Sequence, residues 1–157
     1  GPERKLYQKL KKNLPIIKWT RLENLSGFGT PDCLGYNSSG NFFTVELKVS
    51  KGNRVRFSPH QISFHVQHPN NSYILIEALG PRCLKLFPGS MVRDLCAQGH
   101  GSLKPLGGYG PRFKKFLVIR LELGAWSLEL GASVKGRIDA RQFVARSACA
   151  CCLALEA

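Results

Sequence analysis

Four residues of this chain could do chemistry together: Asp32, Glu46, Lys48 and Gln61. Asp32 follows Pro31 at the end of a glycine-containing loop, 26–30. Glu46 and Lys48 interrupt the apolar run Phe42-Phe43-Thr44-Val45-Glu46-Leu47-Lys48-Val49. Charges in such a run are costly unless they are paired or hold a metal. Alternate residues of an extended strand share a face, so Glu46 and Lys48 project together about 7 Å apart, with Leu47 on the other face. A hairpin through Asn37-Ser38-Ser39-Gly40-Asn41 would return Asp32 to the Glu46 region. Two carboxylates and the Leu47 main-chain carbonyl then make a hard oxygen donor set suited to Mg²⁺, with Mn²⁺ as a substitute. Such a metal polarises a phosphodiester and helps to generate hydroxide from water. Lys48 supplies a cation beside the developing negative charge. The plainer alternative is a strand ion pair, and Gln61 alone is equally well explained as a helix-surface amide.

The elements that must position these residues are legible from pattern. Leu6, Leu10 and Leu14 at four-residue intervals, with lysines between, predict a helix over 3–13. Pro15 closes it. Strands are expected at 16–22, 32–36 and 42–49, the last two joined by the hairpin turn. Ser58-Pro59 starts a second helix, running to about His68, with Ile62, Val66, Phe64 and His65 inward. A strongly apolar strand at 72–78, a short strand at 83–87 and a short helix at 89–98 follow. The glycine-rich stretch 99–112 is expected as a loop or lid, and 116–123 as a further strand. This order predicts a single α/β domain with a mixed central sheet flanked by helices.

Lys and Arg number 23 against 10 acidic residues, a net charge of +13 over 157 residues. That excess favours a polyanionic partner, and nucleic acid over a lipid surface, because no basic amphipathic helix with an aromatic face stands out. Lys51, Arg54 and Arg56 follow the charged strand directly and would face a phosphate backbone, with His60 as a further phosphate contact. Tyr36, Phe57, Tyr109 and Phe113 could stack on bases or pack within the fold. The six cysteines lack paired CxxC spacing, which argues against structural zinc and fits a reducing, cytoplasmic setting. His65 and His68 stand at i, i+3, but no third ligand accompanies them. No P-loop, Ser-His-Asp pattern, signal peptide or membrane-length apolar segment appears. Gly1-Pro2 reads as a protease-cleavage scar, and 131–157 as an Arg/Ala/Cys-rich tail following a domain at 3–130.

Pro31-Asp32, a hairpin, Glu46-Leu47-Lys48 and the downstream Ser58-Pro59-His60-Gln61 resemble the PD-(D/E)XK nuclease superfamily. The expected αβββαβ order resembles its restriction-endonuclease-like core. Within it the chain is most similar to phage VRR-NUC nucleases and Holliday-junction-resolvase-like endonucleases, over about residues 3–87. The resemblance implies Asp32 and Glu46 as metal ligands, Lys48 as catalytic lysine and Gln61 as a residue positioning water or phosphate. It also implies Glu3 as an additional acidic ligand, a role for which Glu23 competes. A Mg²⁺-dependent endodeoxyribonuclease selective for branched DNA follows, working as a homodimer, with host cytoplasm as its place if phage-encoded. The expected dimer surface lies at 116–130 and includes Trp126. The alternatives are a catalytically silent nucleic-acid-binding module and an RNA endonuclease.

Overall fold

The computed structural model describes residues 1–22 and 29–109. The chain enters as helix α1 (Pro2–Asn13), with Pro2 inside its first turn, where a missing N–H costs nothing. Strands β1 (Lys18–Arg21), β2 (Cys33–Tyr36) and β3 (Phe42–Ser50) follow, then α2 (Pro59–Gln67), β4 (Ser72–Ala78) and β5 (Cys83–Pro88). A 3-10 turn (Gly89–Met91) leads into α3 (Val92–Gln98), and β6 (Gly107–Tyr109) ends the described part. The strands form one mixed sheet in the order β1-β2-β3-β4-β5-β6. Only β3 and β4 run parallel, because α2 supplies the crossover that a parallel pair needs. The fold is α/β, and the expected helix, three strands, helix, strand order is present.

The sheet has two unlike faces. Phe43, Val45 and Leu47 of β3 point towards α1, where Leu6, Tyr7, Leu10 and Leu14 complete a core with Ile17, Tyr73 and Leu75. Ile74, Ile76 and Phe87 point the other way and meet Val92 and Leu95 of α3, with Ile62 of α2 alongside. Glu46 and Lys48 belong to this second face.

Three expectations are corrected. The stretch 99–112 is not loop throughout, because Gly107–Tyr109 pairs antiparallel with β5. The helix at 89–98 is broken into a 3-10 turn and α3. Val66 is exposed, while His65 is the wholly buried residue of α2. The short helix turns a polar ring inward because Ser72 waits opposite, its Oγ 2.7 Å from His65 Nδ1. The strand at 116–123, the surface at 116–130, Glu23, Phe113 and the tail from 131 lie outside the described residues. No helix among the described residues is long and apolar enough to cross a membrane.

Gly35 shows how tightly the α1 side is set. It pairs with Phe43, whose ring lies over it, held edge-on by Trp19 and Tyr73. A Cβ at position 35 would lie 2.3 Å from the Phe43 ring. Gly35→Ala is therefore expected to destabilise by roughly 1–3 kcal/mol; a urea midpoint unchanged by the substitution would contradict this packing.

Candidate active site

The site forms where β2 stops. The register places Cys33 opposite Val45, so Asp32 lies beyond the last pair, beside Glu46. The Asp32 main-chain carbonyl still accepts from Leu22 N–H on the β1 side. On the β3 side its carboxylate takes over, with Oδ2 accepting from Leu47 N–H at 2.7 Å. Extending the register sets Pro31 opposite Leu47, and proline has no N–H to offer the Leu47 carbonyl. By the alternation of strand backbone, that carbonyl points to the same edge as the N–H that Asp32 receives.

Glu46 is 2 % exposed. Its Oε1 accepts from Gln61 Nε2 at 2.6 Å and lies 3.4 Å from Lys48 Nζ. Its Oε2 is buried, with no hydrogen-bond partner among the described residues. Gln61 Oε1 in turn accepts from Lys48 Nζ and from Ser58 N–H, each at 3.0 Å. Gln61 is also the third residue of α2, completing a capping box with Ser58. One amide therefore starts the helix and joins the acid to the lysine. Lys48 Nζ further sits 4.9 Å above the Phe57 ring, a cation–π contact that gives this aromatic a place in the site.

The loop before Asp32 is held against the same helix start. Gly29 has φ +82, and a Cβ there would come within 2.4 Å of the His60 backbone. Loop, strand end and helix start thus converge on the two carboxylates. Burial pushes the Asp32 carboxyl up, opposed by its hydrogen bond from Leu47 and by Lys48 and Arg21. Burial, then the neighbouring Asp32, push Glu46 up to about 7, and Lys48 pulls it down.

The expected residues are distributed as follows. Asp32, Glu46, Lys48 and Gln61 come together. Glu3, in the first turn of α1, is near enough to push both carboxyls up. No three His, Cys, Asp or Glu side chains among the described residues gather closely enough to hold a metal. Lys51, Arg54, Arg56 and His60 are exposed along the 51–57 loop and the start of α2. His65 and His68 do not face one another as ligands: His65 meets Ser72, and His68 Nδ1 meets the Phe64 carbonyl.

One part of the surroundings gave no signal in the sequence. Lys85 is buried, with Nζ 3.1 Å from His100 Nδ1, and His100 Nε2 lies 2.8 Å from the Gly52 carbonyl. Asn53 clasps the same segment, its Nδ2 donating to Gln98 O at 2.8 Å while its carbonyl accepts from His100 N–H. The basic loop after β3 is thereby pinned to the end of α3. The contacts join residues 15 to 48 positions apart, which no local pattern encodes.

No family model matches the chain, and no curated protein matches it. Among solved structures it is similar to Archaeoglobus fulgidus Hjc, a Holliday junction resolvase from an archaeal hyperthermophile. The identity is 17 %, the TM-score 0.46, and the likeness covers 58 % of this chain and 75 % of that one.

The raised Glu46 carboxyl has a pH signature. Between about 4.5 and about 7 the folded chain keeps a proton that the unfolded chain has released. Its contribution to stability is therefore complete below the lower value and lost as pH rises through the upper one. His65, lowered to about 4 by burial, then by Lys48 and His68, works in the opposite direction. Comparing the wild type with Glu46→Gln cancels that term. The variant should gain stability relative to wild type between pH 4.5 and 7.5, by on the order of 2–3 kcal/mol. Parallel urea-melt curves for the two proteins would show an unperturbed carboxyl.

Proposed function

We propose that this chain is a metal-dependent endonuclease of the PD-(D/E)XK kind that hydrolyses phosphodiester bonds in DNA, branched DNA in particular. The observation that carries the reading is the buried Glu46 Oε2, without a partner among the described residues, beside Asp32 and next to Lys48. A plain ion pair would leave no such atom, because burying an unsatisfied carboxylate oxygen costs free energy. A divalent cation fits the donors, with Asp32, Glu46 and the Leu47 carbonyl holding it and Glu3 near enough to add negative charge. When bound, it would supply Lewis acidity at the phosphate and lower the pKa of a water.

The chain's own groups divide the remaining work. Gln61 fixes Glu46 Oε1 and leaves Oε2 as the oxygen that would meet the cation. Lys48, held by Gln61 Oε1 and the Phe57 ring, presents its ammonium to the phosphate. Lys51, Arg54, Arg56 and His60 take flanking phosphates. Two symmetric nicks across a branch call for a two-fold dimer.

Labelled four-way junction, flap and linear duplex, incubated with the protein and Mg²⁺ or Mn²⁺, test the reading. Cleavage should vanish with EDTA. Asp32→Ala should abolish it, and Lys48→Ala should lower kcat about 100-fold or more with DNA affinity kept. Metal-independent binding with no cleavage by the wild-type chain would instead make it a silent binding module. Faster cutting of RNA than of DNA would change the substrate class.

A further inference from the structure

Among the described residues, the sheet face that carries Glu46 and Lys48 is covered only in part. In cross-strand rows, Glu46 lies beside Asp32, Thr44 pairs with Leu34 and Leu34 in turn with Thr20, and Phe42 pairs with Tyr36 and Tyr36 in turn with Lys18. All these side chains belong to one face, because they stand at alternate positions in register. Helices α2 and α3 cover this face over β4 and β5. Towards β1 it opens: Lys18 and Thr20 are exposed, Leu34, Tyr36 and Thr44 half-buried. Phe42 is 59 % exposed, although it is one of the chain's large apolar residues. Its ring leans on Tyr36, centroids 4.6 Å apart and planes at 50°.

We propose that the Lys18–Tyr36–Phe42 row is a stacking platform for unpaired nucleotides of a DNA strand, so that the site prefers DNA with a single-stranded segment beside the scissile phosphate. This deepens the nuclease reading and rests on it for the word scissile. An exposed aromatic backed by a second ring offers a flat π-face to a base of any sequence. The lysine in the same row, on a chain of net charge +13, suits the phosphate of that nucleotide. Continuity with the carboxylates sets the distance. Four residues along β3 separate Phe42 from Glu46, about 13 Å, or about four stacked nucleotides at 3.4 Å each. An intact duplex offers no base face to the ring, so the platform selects unpaired DNA.

The test is binding in EDTA, where no cleavage occurs, with the full chain. A duplex bearing a 3′ or 5′ single-stranded arm, with 2-aminopurine along the arm, is compared with a blunt duplex of equal length. Phe42→Ala should weaken binding of the armed duplex about 5- to 100-fold and abolish the 2-aminopurine quenching, leaving the blunt duplex unchanged. Phe42→Trp should restore both. Phe42→Leu, which keeps apolar bulk without the π-face, should not. Lys18→Ala should weaken armed-duplex binding and reduce its salt dependence.

Equal loss on both duplexes, or quenching that survives Phe42→Ala, would overturn the platform. Because nothing is cut in EDTA, the outcome is separate from that of the nuclease assay. A chain that cleaves without Phe42-dependent binding loses only this proposal. A chain that binds arms through Phe42 but never cleaves loses only the nuclease reading.

Discussion

The structure of the site depends on one carboxylate, Glu46, held out of water on a central strand. A desolvated acid demands compensation, and each neighbouring element supplies part of it. Helix α2 contributes Gln61, β3 contributes Lys48, and the loop before β2 delivers Asp32. The compensation is incomplete at Oε2. Burial and a second acid raise this carboxyl to about 7, so its charge is held near its neutral limit by the site around it. Fold and site are therefore coupled, since the start of α2 is itself capped by the amide that holds Glu46.

The end of β2 shows how a sheet can be opened for chemistry without losing its pairing. A strand continued past Cys33 with an ordinary residue would offer β3 both a donor and an acceptor. Pro31 withholds the donor, and the Asp32 side chain replaces the acceptor. The Leu47 N–H stays satisfied, while a carboxylate comes to stand in a sheet edge beside Glu46. On the other side of Lys48, the clasp of Lys85, His100 and Asn53 keeps the basic loop in one place. Exposed cations on a pinned loop lose less conformational entropy on meeting phosphate than cations on a free one.

Much of this was legible before any coordinates, for identifiable reasons. Long apolar runs located β3 and β4, and Ser58-Pro59 marked the start of α2 through capping chemistry. Asp32, Glu46 and Lys48 could be grouped because strand alternation and a hairpin turn are local rules, while Gln61 joined them through the family resemblance. What escaped notice depends on distant partners. Val66 reads as core by spacing, yet His65 takes the inward place because Ser72 is opposite. Gly107–Tyr109 is a strand only because β5 has an edge to offer it. His100 sits in a glycine-rich stretch whose composition says loop, and its role arises from Gly52, Asn53 and Lys85.

The unequal covering of the sheet explains why the charged residues stand at 46 and 48 and not elsewhere on β3. On the α1 side every β3 position from Phe43 to Leu47 is packed among leucines and aromatics, and a charge there would have no partner. On the opposite side Ser50 and Glu46 are buried, Lys48 and Thr44 half-buried, and Phe42 exposed. Position 46 is far enough under α2 for desolvation to raise its carboxyl and for Gln61 to reach it. Two residues nearer the hairpin, Thr44 is already half-open. A carboxylate at 42 would be largely hydrated and ordinary, and one at 50 would be buried away from the open part of the face. Position 46 alone on this face combines a perturbed acid with an adjoining open surface, and the neighbouring strand end brings Asp32 to that same row.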